Sequence, residues 1–298
     1  MKSISEAWFF VDSIYLSVAL CPFLLFANVG LAEEPSSIEA VMAMIKEDDH
    51  EAALASLAKM IQAKQDVIQA RLVRIRVLQR LERWEESLED WDELVELNSQ
   101  EAGWLQERGH LRLKLGDASG ALEDYDRAID IEPRLKQNHW QRGLACYYRG
   151  KFAEGAEQFA VYQSYDDSDV ENVVWRFLCQ AKTDGIDRAR EDMMELGRHD
   201  RRTPLMKVDA LYRGNGTVEA VLEDFPPNQI DEKWERYHRF YGHLYLGLYF
   251  DAIGDGDQCS QHIFHAEKLE NDHFMWYIAR LHANQIRAKH DGPVQSEN

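Results

Sequence analysis

The chain has 298 residues, and 53 Asp+Glu against 34 Lys+Arg give a formal net charge of −19. That excess argues against nucleic acid, whose phosphates need clustered Lys and Arg, and against electrostatic docking on anionic lipid. With 45% hydrophobic and 11% aromatic residues the chain can build a packed core, which excludes disorder over most of its length.

Residues 1–32 read as a secretory signal. From Ile14 to Leu31 the chain is almost wholly apolar, and Gly30-Leu31-Ala32 ahead of Glu33-Glu34-Pro35 puts small residues where a signal peptidase reads. The expected cut follows Ala32 and delivers the mature chain across the inner membrane, to the periplasm. Lys2 is offset by Glu6 and Asp12, so an uncleaved inner-membrane anchor is the alternative. Cys21 follows Leu20, not the small residue that lipidation requires, and lipidation is set aside. Cleavage leaves Cys146, Cys179 and Cys259, an odd set that reads as buried free thiols.

A repeat dominates residues 33–201. Ala53, Ser87, Ala121, Gly155 and Ala189 are small and stand 34 apart. Four residues after each comes a large apolar one: Leu57, Trp91, Tyr125, Phe159 and Met193. Gly109 and Gly143, and Gly116 and Gly150, keep the same step. A small residue where two helices cross lets the backbones approach, the large one fills the gap to the next unit, and Gly suits a left-handed helix end. Five units of two helices are expected here, with Pro133 closing the third.

Residues 202–228 read as a degenerate unit. Its first helix stops near Gly214-Asn215-Gly216, and its second is capped by Thr217 and ended by Pro226-Pro227. Residues 229–289 hold a last clear unit, Gly247-x6-Gly254-x4-Cys259-x3-Ile263, and a capping helix at His273–Ala288. Residues 290–298 read as a disordered tail.

A 34-residue period of helix pairs resembles the tetratricopeptide (TPR) family. The resemblance implies an all-α, right-handed TPR α-solenoid of about six helix pairs with a C-terminal capping helix, and a concave groove lined by the first helix of each pair. Carried onto this sequence, the groove positions include Arg76, Arg80, His110, Lys114, Trp140, Leu144, Tyr147 and Tyr148. Basic and aromatic side chains together suit a peptide or partner helix bearing carboxylates. The carboxylate clamp of the chaperone-binding members needs Asn where this chain has Arg76, His110 and Leu144, so a chaperone-tail receptor is disfavoured.

Catalytic motifs are missing: there is no Gly-x-Ser-x-Gly, no His-Glu-x-x-His, no Walker loop and no dinucleotide fingerprint. His262 and His265, three apart with His273 nearby, could offer metal ligands, and Asp251, Asp255, Gly256 and Asp257 could suggest a calcium loop. Both read more simply as solvated or turn residues, so no catalytic residue, cofactor or metal is expected. Arg142-Gly143-x-Ala145-x-Tyr147-Tyr148-x-Gly150, Asp166-Asp167-x4-Asn172-x2-Trp175 and Tyr245-Leu246-Gly247-x-Tyr249 are similar to the NlpI-type periplasmic TPR lipoproteins. That resemblance implies an envelope adaptor for cell-wall hydrolases and a processing protease, often homodimeric. A non-catalytic scaffold is therefore expected, with an anchored structural subunit or a metal-dependent hydrolase as alternatives.

Overall fold

The computed structural model describes residues 37–225 and 232–291. The expected signal at 1–32, the Pro226-Pro227 stop and all but the first two residues of the expected tail lie outside them. Among the described residues every regular element is a helix: α1 (Ile38–Lys46), α2 (His50–Gln62), α3 (Val67–Arg80), α4 (Trp84–Leu97), α5 (Ala102–Lys114), α6 (Ala118–Ile131), α7 (Trp140–Tyr148), α8 (Phe152–Tyr162), α9 (Val170–Asp184), α10 (Ile186–Glu191), α11 (Leu205–Tyr212), α12 (Val218–Glu223), α13 (Glu232–Ile253), α14 (Gly256–Lys268) and α15 (Phe274–Asp291). Pro133–Asn138 forms a 3₁₀ segment after α6. Each helix packs on its successor except α10, after which α11 returns to α9, so the described residues form a stack of A and B helices, α1/α2 through α13/α14, closed by α15. Residues 202–225 fold as a pair of their own, which makes seven pairs among the described residues where about six were expected.

The small and large positions of the repeat are where the helices meet. All ten are buried, from Ala53 and Leu57 to Ala189 and Met193. The glycines of the A helices face the large residue sixteen positions on. A Cβ on Gly109 would come within 2.6 Å of the Tyr125 ring, and one on Gly143 within 2.6 Å of the Phe159 ring. These crossings admit no side chain. The A helices end in a left-handed residue at 34-residue steps: Asp48 (φ 58°), Glu82 (φ 56°), Gly116 (φ 92°) and Gly150 (φ 71°). Only the last two have the residue that takes this conformation without cost. The first two units carry roughly 1–2 kcal/mol of strain at each such position. Asp117 and Asp255 then cap the following B helices, accepting from Gly120 N at 2.9 Å and Gln258 N at 3.1 Å.

A polar ladder runs beside this apolar register. Arg74, Arg108, Arg142 and Arg176 stand 34 apart on successive A helices, and Asp90 and Asp124 stand 34 apart on B helices. Arg74 grips Asp90 through Nε and Nη2, both at 2.6 Å, and Arg108 grips Asp124 at 2.9 and 2.6 Å. Arg108 Nη1 also reaches back to Asp92 of α4 at 2.9 Å, and Arg142 Nε to Asp126 of α6 at 2.7 Å. Arg108 thus ties the helices of its own unit to the unit before, and Arg142 ties back in the same way. Arg176 holds its unit through the Asp192 carbonyl at 2.6 Å. The carboxylates of Asp90 and Asp124 are shut off from solvent, which makes these fork-shaped, doubly bonded pairs the geometry in which Arg is most effective.

Candidate functional site: a groove with a resident helix

The last helix does more than cover the end of the stack. α15 packs on α14 and then reaches α5, far earlier in the chain. Its Phe274 ring meets Trp140 edge-on, 5.5 Å between centroids, and His110 at 6.4 Å. Tyr277 meets Trp84 edge-on at 6.0 Å, and Lys114 Nζ lies 4.0 and 4.4 Å from the centroids of those two rings. Ile278 is buried, and Tyr148 Oη reaches both its carbonyl (3.5 Å) and His282 Nδ1 (3.3 Å). Residues 274, 278 and 282 recur at the helical period, so one face of α15 lies along the repeat units. This is the helix-in-groove mode of recognition, carried out within one chain.

The eight expected groove residues separate accordingly. His110, Lys114, Trp140 and Tyr148 come together beneath α15. Leu144 is sealed in the core, and Tyr147 packs edge-on against Trp175 at 5.2 Å with its hydroxyl 3.3 Å from Asp251. Arg76 and Arg80 remain exposed on α3, where Arg80 pairs with Asp48 at 3.2 Å. Burial disfavours the charged form of Lys114 and pulls its ammonium down to about 8, and the two ring faces are the cation–π contacts that hold it there.

Below this floor lies a set of buried polar groups. Tyr125 and His139 rings stand 4.4 Å apart, with His110 beside both. Both His139 nitrogens, His110 Nε2 and the Tyr125 hydroxyl have no protein hydrogen-bond partner. Burial pushes His139 well below the usual histidine range and lowers His110, and it brings His243 down to about 3. Folded-state values below the unfolded value near 6.5 mean that the unfolded chain takes up protons first as pH falls. Their contribution is complete above about pH 6.5 and is lost progressively below it. His262, His273 and His282 are lowered by burial in the same way, so Asp169, pushed up to about 6 by desolvation, acts in the opposite sense but is one group against six. The urea midpoint is therefore expected to fall between pH 7.5 and pH 5; an unchanged midpoint would mean that these imidazoles are solvated.

The histidines weighed as ligands are only partly assembled. His262 joins His243 (Nδ1 to Nδ1, 2.9 Å), and His265 stacks on His243 at 4.2 Å. His273 stands elsewhere, on the Tyr241 hydroxyl at 2.5 Å. The acidic turn is used structurally: Asp255 caps α14 and Asp251 pairs with Lys182 at 2.8 Å. No helix among the described residues is long and apolar enough to cross a membrane.

No protein-family model matches the sequence. Among solved structures the chain is similar to a tetratricopeptide repeat protein from Parabacteroides merdae, with 12% identity and a TM-score of 0.52, over 84% of this chain and 97% of that one. It is also similar to a MamA double mutant (15% identity, TM-score 0.44, 51% of this chain and 86% of that one). YrrB, a TPR protein described as having an unusual peptide-binding site, matches at 14% identity and a TM-score of 0.39, over 77% of this chain and 97% of that one. The 34-residue register of buried small and large residues, the stacked A and B helices and the likeness to the Parabacteroides structure agree: this chain has the tetratricopeptide-repeat fold.

Proposed function

We propose that this protein is a non-catalytic interaction scaffold of the bacterial cell envelope whose A-helix groove takes a helical segment of a partner. The observation that carries this is α15. A helix presenting Phe274, Tyr277 and Ile278 is already held there by aromatic edges, a cation and a buried apolar strip. The still-exposed Arg76 and Arg80 continue the basic side of that surface and suit a partner bearing carboxylates. The apolar run from Ile14 with its small-residue break supports export, and the motif resemblance supports cell-wall hydrolases or a processing protease as partners.

The test is affinity capture of the full chain, tagged at its C-terminus and expressed in its own envelope, beside Arg76→Glu with Arg80→Glu. Both arginines are exposed, so reversing them costs little stability, on the order of 1 kcal/mol or less. A hydrolase or protease is expected to co-elute with the native chain and to drop at least roughly tenfold with the variant, about 1.4 kcal/mol of binding. Absence of both enzyme classes sinks the partner assignment, and equal capture by the variant sinks the groove.

A further inference from the structure

The terminal unit carries a thiol that its packing does not require. Cys259 occupies the small position of the repeat, where the other units have Ala, Ser or Gly. Its Sγ lies 3.8 Å from Nε2 of His282, which comes from the facing turn of α15. Asp251, at the end of α13, completes a set in which one donor atom of each residue lies within 4.8 Å of the others. Three helices thus bring a thiol, an imidazole and a carboxylate to one point, and no sequence motif joins them.

We propose that Asp251, Cys259 and His282 bind a zinc ion that staples α15 to α13 and α14. Tetrahedral zinc with ligands at about 2.3 Å (S) and 2.0–2.1 Å (N) separates those atoms by roughly 3.5 Å, so the 3.8 Å pair needs only a few tenths of an ångström of closure. The surrounding hydrogen bonds fit the requirement. Tyr148 has one hydroxyl proton; given to the Ile278 carbonyl, it leaves Oη accepting from His282 Nδ1–H. The Nε2 lone pair then faces Cys259, the tautomer a metal ligand needs. Lys182 Nζ (2.8 Å) and the Tyr147 hydroxyl (3.3 Å) hold Asp251 Oδ2, leaving the carboxylate further lone pairs. A thiolate and an imidazole select zinc over magnesium or calcium, and three protein ligands leave a fourth position for water. Binding breaks the Cys259 S–H bond, forms a Zn–S bond and releases one proton to solvent; no electrons are transferred. Asp251 and Lys182 are partly exposed and give the ion its route inward. The site stands without the scaffold reading; only its consequence, that zinc holds the groove closed, rests on that reading.

The test uses the full chain, reduced and freed of metal by chelation, titrated with Zn²⁺ alone by calorimetry and with Co²⁺ by absorbance. One equivalent is expected, with a near-ultraviolet thiolate-to-cobalt band and release of about one proton per ion. Cys259→Ala puts into the terminal unit the residue that three other units already use and is expected to fold with native circular dichroism. It should abolish the band and weaken zinc on the order of 100-fold or more. His282→Gln should weaken zinc similarly while keeping part of the band. Absence of stoichiometric binding by the native chain overturns the proposal, and so does native-like affinity in both variants, which would place the ion at His243 and His262. The groove consequence is read separately, as zinc-dependent protection of α15 amides. Binding without that protection leaves the site and removes its link to the groove.

Discussion

Asp124→Ala is expected to destabilise the protein by about 3–5 kcal/mol, read as a lowered urea midpoint with an unchanged slope. The carboxylate of Asp124 is 1% exposed and takes three charge-assisted bonds, from Arg108 Nε (2.9 Å), Arg108 Nη2 (2.6 Å) and Arg112 Nη1 (2.9 Å). Removing it strands two guanidinium groups that are themselves mostly enclosed, with Asp92 as their remaining anionic hydrogen-bond partner. The cost comes from the charges left behind rather than from the worth of the pair. Arg108→Leu combined with Asp124→Ala should therefore recover part of the loss. Additive losses in that cycle would mean that the ladder is not a coupled unit. A TPR stack is held by nearest-neighbour interfaces, so failure at α5/α6 should also loosen α4 through the shared Asp92.

The ladder shows where the sequence was readable and where it was not. The apolar register was plain because small residues followed by large ones at a fixed step are improbable, and all ten positions are buried as that logic requires. Arg74, Arg108 and Arg142 keep the same step, as do Asp90 and Asp124. In a chain with 53 acidic and 34 basic residues, charged recurrences are hidden by abundance. The groove was harder for a different reason. Family positions selected His110, Lys114, Trp140 and Tyr148 from four places in the chain, and the structure gathers them, but under α15. A signal for this was present in α15 itself. A helix covering only the end of a stack needs one apolar stripe, whereas Phe274, Met275, Tyr277, Ile278, Ala279, Leu281, Ala283 and Ile286 are all buried and span more than one face. Such a helix needs two partners. The sequence marked Asp251 as a turn carboxylate and Cys259 as a free thiol, but nothing in it joined them to His282, because the three lie on three helices with no fixed spacing between them.

Phe274→Ala is the substitution expected to open the groove. The ring is 6% exposed and is wedged between Trp140 and His110, so its removal should cost about 3–5 kcal/mol of docking. The loss should be local. α15 is the last helix among the described residues, and the small–large register of α2 to α10 is made between helices that precede it. Hydrogen exchange is therefore expected to accelerate on the order of 100-fold or more across residues 274–291, while α5 to α9 keep their protection. Uniform acceleration would instead show that α15 is part of the global folding unit. The same variant discriminates the role of the helix. A partner that competes with α15 sees an affinity reduced by the fraction of open groove, and raising that fraction by 3 kcal/mol should tighten binding by roughly 100-fold. A partner that docks on the closed surface loses the Phe274–Trp140 edge and should bind more weakly. Tighter binding makes α15 an internal competitor, and weaker binding makes it part of the recognition surface.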